Sequence, residues 1–498
     1  MTPKDEVTRS ARTDVILYEL NEVPWSIIDL YVEARPESNL ASLISSGQSL
    51  TTIDEDSAEL SPWRTWPTFH ASMYTEDHNS FDLGQDPTTF SGETIWDLAE
   101  RSGLSVGLFG PLQSWPPRQF AHGGFFVPDT FSKDAQAFPR SVESFQKFNL
   151  AMTRENNFSS DARLSLRAVA KSGFNLVRNG FTFRSAATIG VHLARERSDR
   201  RYKALRPAIQ VIPSFDLYWR LHQRHKPRLS VFFTNHVASM MHRFWGDAVP
   251  GYADTYDYTP DEVYSGFIEQ AMDLADRQFG RIQRYLADHP STLLLIAGSM
   301  GQGPVRCRYQ EQDLYFLKEP RRLLQELGLK DAKDGLAMYP RLALTFEEAS
   351  EAEDALTALR SVVKDDLDPM FNDFMVKGRT LSFSIDNRGV RLETATLLRY
   401  RAAGAETDQH SCLADLGITV RPRVGGDNTA YHIPEGILLA CGGGVHPEAS
   451  RREVSILDVA PSILANLLRI PPGMSMRGDP TLFTELVLAE SLPGGDEG

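Results

Sequence analysis

Three histidines stand where a sequence could do metal chemistry. His236 and His242 lie six residues apart, just after the apolar run Leu229-Ser230-Val231-Phe232-Phe233, and His432 closely precedes Ile437-Leu438-Leu439. Imidazole nitrogens are neutral ligands, so three of them with an open position leave a zinc ion acidic enough to polarise an ester oxygen or activate water. Two ligands on one helix face want an offset of four, so a turn must intervene between His236 and His242. The same residues also suit a plainer role, capping and packing a strand-to-helix turn.

Three further clusters carry reactive or polar groups: Glu19-Leu20-Asn21-Glu22, Thr65-Trp66-Pro67-Thr68, and Gly298-Ser299-Met300-Gly301-Gln302-Gly303. Thr65 can cap a helix that starts with Trp66-Pro67. It can equally serve as a nucleophile, since a helix amino terminus stabilises a phosphorylated oxygen. Glu19 or Glu22 can act as its general base, join Asn21 in a cation site, or simply be polar at a strand end. Ser299 and Gln302 can hydrogen-bond a substrate oxygen or satisfy a glycine-rich turn.

These groups need a scaffold, and the apolar pattern supplies one. Short apolar runs at 15–20, 105–110, 229–234, 292–297 and 437–440 read as buried strands, alternating with helical periodicity at 25–46, 95–100 and 259–286. The alternation predicts an α/β fold, a mostly parallel sheet sandwiched by helices with its site at the carboxyl ends of the strands. Two segments interrupt it. Residues 131–226 are rich in Arg, Lys, Phe and Ala with helical spacing, including 162–177 and 187–206, and read as a helical cap; their basic residues line an anionic substrate or form a solvated face. Residues 305–426 read as an α+β insertion with a helix at 347–363 and a hairpin around Asn387-Arg388-Gly389. The acidic, glycine-rich tail after Pro493 reads as disordered.

Composition sets the outer limits. The chain has 498 residues, 41% hydrophobic and 24% charged, which allows one large core with insertions. A net charge of −14 disfavours non-specific binding to a nucleic acid polymer or an anionic membrane, although a local basic pocket stays open. Cys307, Cys412 and Cys441 lack metal-like spacing and suit a reducing compartment. With no apolar run of membrane-spanning length and a polar start, the chain is expected to be soluble and cytoplasmic.

In the order of these elements the chain resembles the alkaline phosphatase superfamily, in particular its type I phosphodiesterase and nucleotide pyrophosphatase branch. Thr65-Trp66-Pro67 is similar to the nucleophile motif of that branch, and His432-Ile433-Pro434-Glu435-Gly436 with Ser455-Ile456-Leu457-Asp458 is similar to its late metal histidine and carboxy-terminal helix. The resemblance covers roughly 15–125, 229–304 and 431–483. It departs at Asn21, where the family has a metal-binding Asp, and at Ser299-Met300, where it has Asp-His, so the second metal is expected to be lost. If His236 stands for the Asp of the other site, that site becomes His236, His242 and His432.

The resemblance therefore implies a phosphodiesterase-like or phosphatase-like hydrolase of a small phosphate or sulfate ester, with Thr65 as nucleophile, Glu19, Asn21 and Glu22 around it, and one zinc. Two alternatives stand beside it: an inactive binding or regulatory protein on the same fold, and a transferase that uses the same covalent intermediate.

Overall fold

The computed structural model describes residues 13–56, 58–83, 85–158, 181–310, 313–334, 341–364, 368–387, 397–442, 444–448 and 450–484. The predicted helix at 162–177, the turn at Arg388-Gly389 and the tail after Pro493 lie outside them. The chain divides into two compact units, Met1–Leu150 with Leu164–Arg306 and Asn428–Gly498, and Ala151–Arg163 with Cys307–Asp427.

The first unit is built on an eight-stranded sheet. Its strands are β1 (Asp14–Leu20), β2 (Gln48–Ile53), β3 (Val106–Phe109), β4 (Gly124–Val127), β5 (Leu229–Thr234), β6 (Thr292–Ala297), β17 (Glu435–Gly442) and β18 (Glu453–Ser455), in the order β18-β2-β17-β6-β1-β5-β3-β4. Only β17 runs against its neighbours. All five runs picked out from the sequence are strands of this sheet. β2, β4 and β18 were not visible as apolar runs, because β2 is polar in four of its six residues and the other two are three or four residues long.

Alternation along the strands sorts side chains to two helical layers. Val15 and Leu17 of β1, Leu229 and Val231 of β5, and Leu293 and Leu295 of β6 share one core with Trp66, Phe69, Ile95, Trp96 and residues of 456–470. That layer holds α3 (Pro62–Ala71) and α4 (Ile95–Arg101), which follow α1 (Trp25–Ala34) and α2 (Asn39–Ser46) in the chain. Tyr18 and Phe232 face the other way, against Phe215 of α6 (Val211–His225) and Phe279 of α8 (Phe267–Asp288). Two more helices complete the part that matters here, α5 (Phe183–Ser198) and α7 (Ala238–Ala248).

Two predicted helices change shape. The 25–46 pattern is two helices, parted at Pro36, which disfavours helical geometry at Arg35; the break there is real, with φ −136° at Arg35. The 259–286 pattern starts later, at Phe267. α6 lies within the segment read as a cap, yet it packs into the aromatic core as the crossover before β5, since ten of its residues are buried.

The second unit has a four-stranded antiparallel sheet of β9 (Lys333–Asp334), β10 (Arg341–Thr345), β11 (Phe371–Lys377) and β12 (Thr380–Ile385), ordered β11-β12-β10-β9. Two strand pairs, β8 (Asp313–Leu317) with β15 (Ile418–Pro422) and β13 (Leu397–Tyr400) with β14 (Gln409–Cys412), accompany it. Leu323, Ala355, Leu359, Phe371 and Phe383 share its own core.

Candidate functional site

The polar clusters meet where the strands end. β1 stops at Leu20, and Glu22 follows with φ of +60°, a left-handed conformation that costs a non-glycine residue about 1 kcal/mol and is concentrated at functional positions. The carboxylate so placed is 2% exposed. Its Oε2 lies 2.9 Å from His242 Nε2 and 3.4 Å from His432 Nε2, and accepts a hydrogen bond from Gln302. Its Oε1 accepts from Asn21 Nδ2 at 2.7 Å. Burial alone would raise the Glu22 pKa; the two imidazoles outweigh it through charge and hydrogen bonds and hold the carboxyl well below the usual range. For His432 the balance also favours charge, since Glu22 raises its pKa against the opposing effect of burial.

Both imidazoles are held by backbone. His432 lies on β16 (Ala430–Ile433), opposite Gln302 of β7 (Gly301–Pro304) in an antiparallel pair. The glycines of 298–303 allow this approach: a Cβ at Gly301 would stand 2.2 Å from the Glu435 carbonyl. His432 Nδ1 is 2.9 Å from the Leu60 carbonyl and His242 Nδ1 is 3.0 Å from that of Ala430. A carbonyl can only accept, so each Nδ1 carries the proton and each Nε2 faces Glu22. α7 is locally opened to make room. Phe244 leaves helical geometry, the His242 carbonyl accepts from Thr429 N, and Gly246 N donates to Thr429 Oγ1.

Thr65 is not a cap. Ser61 precedes α3, Pro62 opens it, and the Thr65 N–H is already bonded to the Ser61 carbonyl at 3.0 Å. The Thr65 side chain turns toward the turn after β6 instead, where its Oγ1 is 2.8 Å from Ser299 Oγ. Next to it, Trp66 Nε1 donates to Asn21 Oδ1, and Asn21 Nδ2 also donates to Asn235 Oδ1. Asn21 thus joins Trp66 of α3, the neighbour of Thr65, to both Glu22 and the loop after β5. Tyr431, half-exposed, stacks 4.3 Å from the His432 ring and lies 5.9 Å from that of His242.

Two expected members lie elsewhere. His236 does not join His242 and His432, because both of its ring nitrogens are engaged: Nδ1 accepts from Thr234 Oγ1 at 2.7 Å and Nε2 donates to the Ala271 carbonyl at 3.1 Å. It fastens the end of β5 to α8, and burial pushes its pKa down to about 3. Glu19 is still within β1, on the face of Val15 and Leu17, and pairs with His70 of α3 at 2.6 Å rather than reaching Thr65. Strand alternation decides this. His70 itself carried no sequence signal beyond its place in an apolar helix.

The convergent group is therefore Glu22, His242 and His432, whose ligand atoms all lie within 4.8 Å of one another. The set suits a divalent transition metal: two Nε2 donors oriented by Nδ1–H to carbonyl hydrogen bonds, plus one carboxylate, is a donor set used by catalytic zinc and by non-haem iron. Gln302 Oε1 is buried beside it with no hydrogen-bond partner among the described residues, an acceptor free for a further ligand.

No family model and no curated protein matches the chain. Among solved structures it resembles two of murine ectonucleotide pyrophosphatase/phosphodiesterase 5, one of them an inactive variant in complex with AMP. Identity is 12% in both, each alignment covers 95% of this chain and 99% of the other, and the TM-scores are 0.41 and 0.40.

Proposed function

We propose that this chain hydrolyses a small phosphoric ester of the phosphodiester type, with one metal ion held by Glu22, His242 and His432 and with Thr65 as the attacking hydroxyl. The observation that carries the reading is the convergence of two Nε2 atoms and a buried carboxylate oxygen while both Nδ1 atoms are bound to backbone. When bound there, the ion would supply Lewis acidity to an ester oxygen.

The remaining roles belong to side chains. Thr65 Oγ would form the bond to phosphorus as the ester P–O bond breaks, its proton leaving on the departing ester oxygen as the free alcohol, and water would then hydrolyse the Thr65 phosphoester and restore the hydroxyl. Ser299, whose Oγ is 2.8 Å from Thr65 Oγ1, holds the attacking hydroxyl in place. Asn21 keeps Glu22 and Asn235 oriented. Tyr431 offers a half-exposed ring beside both imidazoles, suited to an aromatic or otherwise flat organic portion of the ester.

A second reading, recognition of a phosphoric ester without turnover, draws on a different observation. Thr65 is only 2% exposed, and the neutral Asn21 and Ser299 beside it provide no strong base. One experiment separates the two: hydrolysis of bis(p-nitrophenyl) phosphate by zinc-loaded protein, with and without chelator, in the parent and in Thr65→Ala. Chelator-sensitive hydrolysis lost in Thr65→Ala supports the hydrolase. Absence of hydrolysis with retained, metal-dependent thermal stabilisation by the ester supports recognition alone.

A further inference from the structure

α5 has its polarity turned inside out. Its buried residues are Ser185, His192 and Glu196. Each has a polar neighbour inside: Ser185 Oγ donates to Asp216, Glu196 pairs with Arg206 at 2.7 Å, and His192 lies 2.7 Å from Glu196. The outward residues include large apolar ones, Phe183 at 92% exposure, Val191 at 55% and Leu193 at 46%, beside Arg184, Arg195 and Arg197. Successive residues turn by about 100° around a helix, which places Phe183, Ala187, Gly190, Val191, Leu193 and Ala194 within an arc of roughly 160° that also holds Ala186 and, in the last turn, Arg197 and Ser198. All of these are exposed, and a Cβ added to Gly190 would meet nothing within 4 Å. A helix anchored inward by the Ser185–Asp216 and Glu196–Arg206 contacts, with a mostly apolar arc left exposed, has an outer face suited to an apolar medium.

Charge identifies the medium. Residues 131–226 contain 18 Lys and Arg against seven Asp and Glu, a surplus of +11 in a chain of net −14. No Asp or Glu occurs between Asp161 and Glu196. On and just beyond α5, Arg184, Arg197 and Arg200 are exposed, and none pairs with a carboxylate among the described residues. At physiological salt, charges more than about 8 Å away are largely screened, so at the exposed face of α5 the arginines on and beside it weigh more than the net charge of the whole chain. No helix among the described residues is long and apolar enough to cross a membrane. A mostly apolar helix face with exposed arginines at its edge and carboxyl end is the pattern of a helix lying in the plane of a lipid interface.

We propose that α5 docks this protein on the surface of an anionic lipid bilayer, with Phe183, Val191 and Leu193 entering the acyl boundary and Arg184, Arg197 and Arg200 meeting lipid phosphates. The whole-chain charge points away from such binding; its distribution along the chain points toward it. The proposal goes beyond the hydrolase reading and does not depend on it.

Flotation of the full chain with vesicles tests it, using phosphatidylcholine alone and phosphatidylcholine with about one-third phosphatidylglycerol. The expected result is flotation with the anionic vesicles, at least ~10-fold weaker binding to the neutral ones, and weakening of the anionic binding by high salt. The triple variant Phe183→Ser, Val191→Ser, Leu193→Ser should lose binding, and Arg184→Glu with Arg197→Glu should weaken it at least ~10-fold while the melting temperature is kept. Failure to float with either vesicle overturns the proposal, as does binding that neither variant changes. A concentration-dependent dimer in sedimentation that the triple Ser variant abolishes also overturns it, because a second copy would then cover the face.

Discussion

Glu19 Oε1 and His70 Nε2 lie 2.6 Å apart, and both side chains are buried. The pair bridges β1 and α3 directly behind the site, with His70 stacked on Trp66 and packed against Trp96. Glu19 Oε2 has no hydrogen-bond partner among the described residues. Removing one partner of such a pair leaves an uncompensated buried group. His70→Ala is therefore expected to destabilise the fold by about 3–5 kcal/mol. Glu19→Gln, which keeps an acceptor for His70, should cost clearly less. Chemical denaturation of the two variants checks the order; equal losses would mean that the charge of Glu19, and neither the retained acceptor nor the volume of the His70 ring, sets the cost.

Much of the fold was legible because apolar runs in a parallel sheet are nearly continuous, and all five strands so identified lie in the sheet. The site was legible only by residue type. Glu22, Asn21, His242, His432 and Thr65 all stood out as chemistry-bearing residues, but grouping them needed geometry. His236 looked like the partner of His242 because both follow β5. One turn decides otherwise, since Thr234 and the Ala271 carbonyl take both of its nitrogens. Glu19 and Glu22 looked equivalent in sequence; the strand's alternation and the positive φ of Glu22 send them to opposite fates. Gln302 read equally well as a turn residue, and its register opposite His432 was not deducible from a glycine-rich hexapeptide.

The Thr65–Ser299 contact gives a graded test of the nucleophile. Thr65→Ala should lower bis(p-nitrophenyl) phosphate hydrolysis by about 10³-fold or more, whereas Thr65→Ser, which retains the hydroxyl, should retain a substantial share. Ser299→Ala leaves the hydroxyl without its partner and should lower the rate by about 10-fold, chiefly in kcat. Steady-state kinetics of the three variants measure this. A rate unchanged in Thr65→Ala would assign attack to a group other than Thr65.

Buried groups make opposing contributions to acid stability. Burial pushes His222 down to about 4, so between about pH 6.5 and 4 the unfolded chain takes up a proton at this site that the native chain refuses. Its contribution is fully present above pH 6.5 and is lost as pH falls, by on the order of 2 kcal/mol at pH 5. Asp129 works in the other direction. Burial raises it to about 6, against the hydrogen bonds from Phe131, Ser114 and Gln113, so the native chain gains a proton first and this site favours folding increasingly as pH falls from 6 toward 3.8. Urea unfolding at pH 7 and pH 5 should show His222→Gln losing less stability on acidification than the parent, and Asp129→Asn losing more. The same pH difference in both variants and the parent would contradict the assignment.

The metal centre makes the most discriminating prediction, because sequence and geometry choose different ligands. A ligand at about 100 times its Kd that binds only the native state adds about 2.7 kcal/mol to stability. The parent should therefore melt higher with zinc than with chelator. His432→Ala and Glu22→Gln should lose that response, since each removes one of the three convergent donors. His236→Gln is expected to melt lower than the parent under both conditions, having lost its link between β5 and α8, yet to keep the full difference between zinc and chelator. Elemental analysis of the same proteins should give about one metal per chain in the parent and in His236→Gln, and almost none in the other two. Loss of the metal in His236→Gln alone would restore the three-histidine site; equal thermal behaviour of all four proteins with and without zinc would leave Glu22, His242 and His432 as a purely structural acid–histidine cluster.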